Sequence, residues 1–322
     1  MSTDYTYAVA RIRAKEMTLL TKQDLDTLIQ TKDYDDALRF LFDKGYGEDD
    51  KIKNAEEIIK IENKKTWQLM AELVDDLNEL NIFTVPNDFH NLKVSIKAVT
   101  RDITPVNMFL YNGNVPPEEI YEAVKNRNSN GLPEYLTECA KEAMTALLQT
   151  SDGQLCDIII DKASLKELNA IGSKADNDIV KLYTEIAVAS ANIKIAVRCN
   201  KTNKGLDFIN RCLADCSTLN IDMLAKASSI SLEEIYNYLA YTNYSGAVEA
   251  LKKSPSEFEK WCDNIIMDKM KTQKWEPFTI GPLVAYIIAR DTELKAVRII
   301  LSAKLNNLDT EIVTERLRDM YV

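Results

Sequence analysis

Glycine and proline are scarce: nine and eight in 322 residues, about 5 % together against roughly 12 % in ordinary usage. So few turn residues exclude the many tight turns of a sandwich, a barrel or a βαβ series, and long helices remain. Histidine occurs once, at His90. That removes multi-histidine zinc sites and makes any Ser-His-Asp triad depend on one ring. No run of about 18 apolar residues occurs; the longest such stretch, Ile280 to Ala289, contains Gly281 and Pro282. The opening Met1-Ser2-Thr3-Asp4-Tyr5 lacks the basic-then-apolar pattern of a secretion signal. A chain with these features is expected not to span a membrane, and to reach one only through a protein partner.

The net charge is −10, from 40 Lys and Arg against 50 Asp and Glu. A field of that sign opposes phosphate backbones, so nucleic acid is not an expected partner. The six cysteines, Cys139, Cys156, Cys199, Cys212, Cys216 and Cys262, form no Cys-x-x-Cys pair. Thin spacing along a long chain suits buried thiols in a reducing cytoplasm, not a disulfide framework. Cys212 and Cys216 are spaced as one helical turn and are expected to pack. The apolar share of 46 % is enough for a sizeable core.

Helical periodicity dominates what is present. Leu69, Leu73, Leu77 and Leu80 recur at steps of four and three, as do Leu92, Ile96, Val99 and Ile103, and Leu294, Val297, Leu301, Leu305 and Leu308. Thr21 with Asp24, and Ser231 with Glu234, read as capping boxes. Pro116-Pro117-Glu118-Glu119 opens another helix. Cys156 to Ile160 has the composition of a short strand, but its context favours a helix. An internal likeness runs through these elements. Thr21, Leu25, Tyr34 and Ala37 match Ser231, Ile235, Tyr244 and Ala247 at one offset, with Pro116, Ile120 and Ala123 as a looser copy. The segment Cys156 to Lys162 resembles Cys262 to Lys269. Asn91-Leu92-Lys93, Asn192-Ile193-Lys194 and Glu293-Leu294-Lys295 follow at a regular spacing. The expectation is three divergent all-helical units, 1–113, 114–228 and 229–322. Their period exceeds the ~34 to 47 residues of common helical solenoids, so a closed three-part body is favoured.

No phosphate-binding loop of the Gly-x-x-x-x-Gly-Lys-Ser/Thr kind occurs, nor Gly-x-Gly-x-x-Gly; Gly45-Tyr46-Gly47 runs straight into Glu48-Asp49-Asp50, which repels phosphate. Direct nucleotide binding is therefore not expected. Asp75, Asp76 and Glu79 have the look of a magnesium site for a diphosphate, as in all-helical terpenoid synthases. The second metal helix is missing, because Lys181 and Glu185 follow Asn177-Asp178 where a hydroxyl and an acid are needed. An exposed acidic face is the simpler account. His90, placed by Asp88 and Phe89 near a helix start, reads as a capping or packing residue. Lys93, Lys97 and Arg101 form one basic stripe, repeated by Lys194 and Arg198 and, one position displaced, by Lys295 and Arg298. Repetition at equivalent places suggests a shared role, lining an opening for an acidic partner helix; solvated or salt-bridged faces are the alternative. Tyr236, Tyr238, Tyr241 and Tyr244 crowd one segment and suit an interface or a core equally.

The opening Tyr5-Thr6-Tyr7-Ala8-Val9-Ala10-Arg11-Ile12-Arg13-Ala14-Lys15-Glu16 resembles the start of the C subunits of prokaryotic V-type (A-type) ATP synthases, the equivalents of the d subunit in the eukaryotic proton pump. Thr31 to Leu38, the segments around Asn91 and Glu293, and Cys156 to Lys162 extend the likeness over essentially the whole chain. The resemblance implies a funnel of three similar helical domains with pseudo-threefold symmetry on the cytoplasmic face of the membrane. A protein of this kind seats the foot of the central shaft, built from the D and F subunits, and stands on the rotor ring of proteolipids. It catalyses nothing and holds no cofactor or metal. In this chain the repeated basic stripes supply the shaft-binding candidates, Lys93, Lys97, Arg101, Lys194, Arg198, Lys295 and Arg298. A magnesium-dependent helical enzyme using Asp75, Asp76 and Glu79, or a general helical scaffold, would be the competing functions.

Overall fold

The computed structural model describes residues 5–47, 54–105, 107–150 and 153–322. In chain order the helices are α1 (Thr6–Glu16), α2 (Lys22–Gln30), α3 (Tyr34–Asp43), α4 (Ala55–Leu73), α5 (Asn81–Arg101), α6 (Pro117–Lys125), α7 (Glu134–Thr150) and α8 (Gly153–Lys174). They continue with α9 (Asp178–Lys201), α10 (Leu206–Cys212), α11 (Ile221–Ile230), α12 (Leu232–Leu239), α13 (Ala247–Lys253), α14 (Pro255–Lys271), α15 (Gly281–Leu305) and α16 (Thr310–Arg316). Short 3₁₀ turns cover Leu77–Leu80 and Thr272–Trp275. No strand forms among the described residues, and Cys156 to Ile160 lies inside α8. The protein is all-α.

Local chemistry sets several helix starts as expected. Asp24 N–H donates to Thr21 Oγ1 at 3.1 Å while Thr21 N–H donates to the Asp24 carboxylate at 2.9 Å, a complete capping box on α2. Ser231 accepts from Glu234 N–H at 3.1 Å to start α12, but Ser231 N–H donates to Ala227 O, so the expected box is only half formed there; Pro117 occupies the first turn of α6. Helix ends depart more from expectation. α4 stops at Leu73, so the Leu69–Leu80 stripe breaks across Val74 to Asp76, and Leu77 is exposed. Ile103, Leu305 and Leu308, the outer members of the other two stripes, lie past a helix end or at it and are exposed. In α5 the helix begins before Pro86, which puts His90 in mid-helix. Proline there removes a hydrogen bond at a cost of about 3 kcal/mol. Burial of Ile82, Val85 and Phe89 around it offsets that, at roughly 1.5–3 kcal/mol each.

Contacts divide the chain into two compact units. One comprises residues 1–77 and 249–322. Its centre is α15, against which α1, α2, α3, α4, α14 and α16 pack. Leu25, Leu28, Leu41, Ile58, Val297 and Leu301 lie in its apolar cluster. After α3, Gly45 and Gly47 both take positive φ, +86° and +76°, which lets the chain turn and bring Tyr46 inward. Glu48 to Asp50, the acids that follow, lie outside the described residues. α15 also carries charge inside this unit: Arg290 donates to Glu62 of α4 at 2.6 Å and pairs with Glu293, which accepts from Tyr46 Oη at 2.5 Å.

The second unit spans 78–248. Here α5 packs on α6, α7 and α8, α8 packs on α9 and α10, and α9 packs on α10, α11 and α12. Val85, Phe89, Leu92, Ile120, Leu136 and Ile160 belong to one core cluster. Of the positions matched in the repeat, Leu25, Ile120 and Ile235 are buried, as are Ala37 and Ala247, while Tyr34 is half-buried where Tyr244 is buried, and Ala123 is half-buried.

Candidate functional site

The regular spacing of Asn91, Asn192 and Glu293 has a physical cause. Each side chain is wholly buried on a long helix and holds a passing backbone segment. Asn91 donates to Leu110 O at 2.7 Å and accepts from Leu110 N at 2.9 Å. Asn192 does the same to Ala214, at 2.7 and 3.0 Å. Glu293 accepts from Leu20 N. The clasped residues lie shortly ahead of α6, α11 and α2. One amide grips both backbone groups of one residue because its oxygen accepts and its nitrogen donates.

Next to two of these clasps stand the basic stripes. Lys93, Lys97 and Arg101 on α5 and Arg198 on α9 border one cavity of about 570 Å³ in the second unit. Asp157 and Asp161 of α8 border it too. Lys97 pairs with Asp157 at 2.8 Å, and Lys93 pairs with Asp161. Rising numbers on α5 meet falling numbers on α8, so the helices run antiparallel and two i,i+4 stripes of opposite sign interlock. Among the described residues Arg101 and Arg198 have no carboxylate partner. Four cations against two carboxylates leave the cavity electropositive in a chain of net charge −10.

The other candidates stand elsewhere. Lys194 is exposed on α9. Lys295 pairs with Asp291 at 2.9 Å, and Arg298 makes a fork to Glu56 at 2.8 and 3.0 Å, both within the first unit. Asp75, Asp76 and Glu79 are exposed and lie beyond the end of α4, so they do not share one helix wall. Among the described residues no group of three or more His, Cys, Asp and Glu side chains is placed to hold a metal. His90 is exposed, with Nε2 3.1 Å from Met108 O. The tyrosine segment divides: Tyr244 is core, Tyr236 and Tyr238 are half-buried, and Tyr241 is 93 % exposed. Cys212 ends α10, so it does not share a helical turn with Cys216; its thiol donates to Phe208 O at 3.2 Å instead. All six cysteines are free thiols. Sequence reasoning missed Asp157 and Asp161 as partners of the basic stripe. Their i,i+4 spacing, complementary to Lys93 and Lys97, was the available signal.

A sequence profile of the ATP synthase (C/AC39) subunit family matches residues 8–316. The chain belongs to that family. Relatives include the C subunit of the V-type sodium ATPase of Enterococcus hirae, 24 % identical over 322 residues, covering 96 % of this chain and 97 % of the relative. The C subunit of the A-type ATP synthase of Methanocaldococcus jannaschii is 23 % identical over 336 residues, covering 95 % and 84 %. That of a Desulfurococcus species is 20 % identical over 346 residues, covering 97 % and 90 %. As a member of the C/AC39 family, the protein is a non-catalytic component of a rotary ATPase that transports ions. No helix among the described residues is long and apolar enough to cross a membrane.

Proposed function

We propose that this protein is the coupling socket of the central stalk: it receives the foot of the shaft, formed by the D and F subunits, and stands on the proteolipid ring at the cytoplasmic face. The observation that carries the reading is the electropositive cavity between α5, α8, α9 and α10. It gathers four of the seven basic candidates, two of them without carboxylate partners. Lys93 and Lys97 arrive paired with acids of the same unit, so they shape the wall, while Arg101 and Arg198 are free to meet an acidic helix. Lys194, Lys295 and Arg298 are proposed as peripheral shaft contacts.

The three sequence units, 1–113, 114–228 and 229–322, and their pseudo-threefold funnel are part of the same proposal. Supporting them are the three buried clasps, one from each unit, and the last of these, Glu293 on Leu20, ties the end of the repeat series to its beginning. A torque-bearing part needs such ties, because helices joined only by apolar contact can slide. The test is a titration of the protein with purified shaft pair by calorimetry. Reversing Arg101 and Arg198 to Glu should weaken binding at least tenfold, with more loss at low salt than at high. Unchanged affinity removes the cavity from the docking surface.

A further inference from the structure

The ladder of ion pairs between α5 and α8 stops one rung short. Lys93 pairs with Asp161 and Lys97 with Asp157, each step moving four residues up α5 and four down α8. Continued once more, that register sets Arg101, the last residue of α5, opposite Gly153, the first of α8. A carboxylate would complete the series there, and glycine has none. A Cβ at Gly153 would meet nothing within 4 Å, so the missing rung is open space. Arg101 and Gly153 both border the cavity of about 570 Å³, as does Arg198 of α9. We propose that this cavity binds a small organic phosphate, whose phosphate group takes the place of the missing carboxylate and meets Arg101 and Arg198. The inference stands on the cavity alone and does not need the shaft to dock.

Charge sets the class of ligand. Lys93 and Lys97 are committed to Asp161 and Asp157, which leaves Arg101 and Arg198 as two lining cations without a carboxylate. A phosphate monoester brings about −1.5 to −2 at pH 7, where a carboxylate brings a single charge, and its oxygens accept forked guanidinium donors. Size and walls set the rest. The volume falls within the roughly 300–1,000 Å³ of small-molecule sites. Inorganic phosphate would leave most of it empty, whereas Leu147, Ile195 and Phe208 offer an apolar wall to an organic body. Lys204 steadies that wall: its ammonium donates to Gln154 Oε1 at 3.0 Å and stands 4.7 Å from the centre of the Phe208 ring. Both arginines are exposed, so a ligand reaches them without a helix moving. An acidic helix docked here needs the same two guanidinia, so bound ligand and docked helix exclude each other.

The experiment titrates the full-length protein, without shaft subunits, with phenyl phosphate, inorganic phosphate and benzoate by calorimetry at low salt. Phenyl phosphate should fill one site per chain and bind at least about fivefold more tightly than inorganic phosphate, because its ring is buried. It should exceed benzoate by at least about tenfold, because its charge is larger. Arg101→Ala and Arg198→Ala should each weaken it at least about tenfold. Gly153→Asp supplies the absent rung while keeping both arginines, and should also weaken binding about tenfold, whereas Gly153→Asn, of the same size and uncharged, should stay within about twofold. Arg39→Ala, in an exposed pair of the first unit, should bind as the unaltered protein does.

No saturable heat with phenyl phosphate up to about 10 mM overturns the site. Equal losses in Gly153→Asp and Gly153→Asn overturn the missing rung as its cause, and equal affinity for inorganic phosphate or benzoate overturns the ligand class. Circular dichroism checks each variant, and where one fails to fold, the three affinities of the unaltered chain decide. Because the shaft is absent, the result is independent of whether it docks.

Discussion

A buried amide that holds both backbone groups of a neighbouring segment leaves two orphans when removed. Asn192 and Asn91 make the same pair of bonds, but their partners differ: Ala214 is wholly buried, whereas Leu110 is 42 % exposed. Water can replace the amide at Leu110 and not at Ala214. Asn192→Ala should therefore cost about 2–4 kcal/mol in urea unfolding and Asn91→Ala clearly less. Equal losses would contradict this account. Glu185 offers a test through pH. Burial pushes its carboxyl up, but hydrogen bonds donated by the Thr218 hydroxyl and backbone, at 2.6 and 2.7 Å, and by Ser217 hold it below the ordinary glutamate range. A depressed carboxylate contributes stability above its unfolded pKa of about 4.3 and loses it as pH falls through the folded value. Glu185→Gln should lower stability at pH 7 by about 1.5–3 kcal/mol, and the gap should shrink below pH ~4.3. A gap independent of pH would contradict the assignment.

At the scale of elements, α8 and α9 approach so closely at Gly172 that a Cβ there would fall 1.8 Å from Thr184 Oγ1 and 2.6 Å from its Cβ. Ala has the better helix propensity, so Gly172→Ala would stabilise an open helix by up to ~1 kcal/mol. Here it should destabilise by about 1–3 kcal/mol, read as a lower melting temperature, with partial recovery in Gly172→Ala/Thr184→Ala. No local pattern in the sequence announces this close approach. Helix class, the Thr21 cap and the Pro117 start were legible because neighbours along the chain decide them. The Leu69–Leu80 stripe misled because periodicity continues through Val74 to Asp76, where the backbone does not. His90 was expected near a helix start, yet α5 begins at Asn81 and runs through Pro86, whose local preference to break a helix is overridden by packing around Phe89. For the site, the basic stripe was visible as a stripe, while its pairing with α8 was not. Asp157 and Asp161 lie some sixty residues onward and become partners only when α8 folds back antiparallel to α5.

For the whole molecule, a chain of net charge −10 that takes an acidic partner helix, as proposed, does so against its own overall field. A confined electropositive wall allows this, because charges act over about 8–10 Å at physiological salt. Docking through this wall should thus weaken with rising ionic strength. The central claim, that this protein links shaft to ring, is tested most directly by mixing the pure full-length chain with the shaft pair D–F. Size-exclusion chromatography with mass determination then follows the mixture. The account predicts a single earlier-eluting species with one copy of each chain. Independent elution of the protein and the shaft pair at micromolar concentrations and low salt would contradict it.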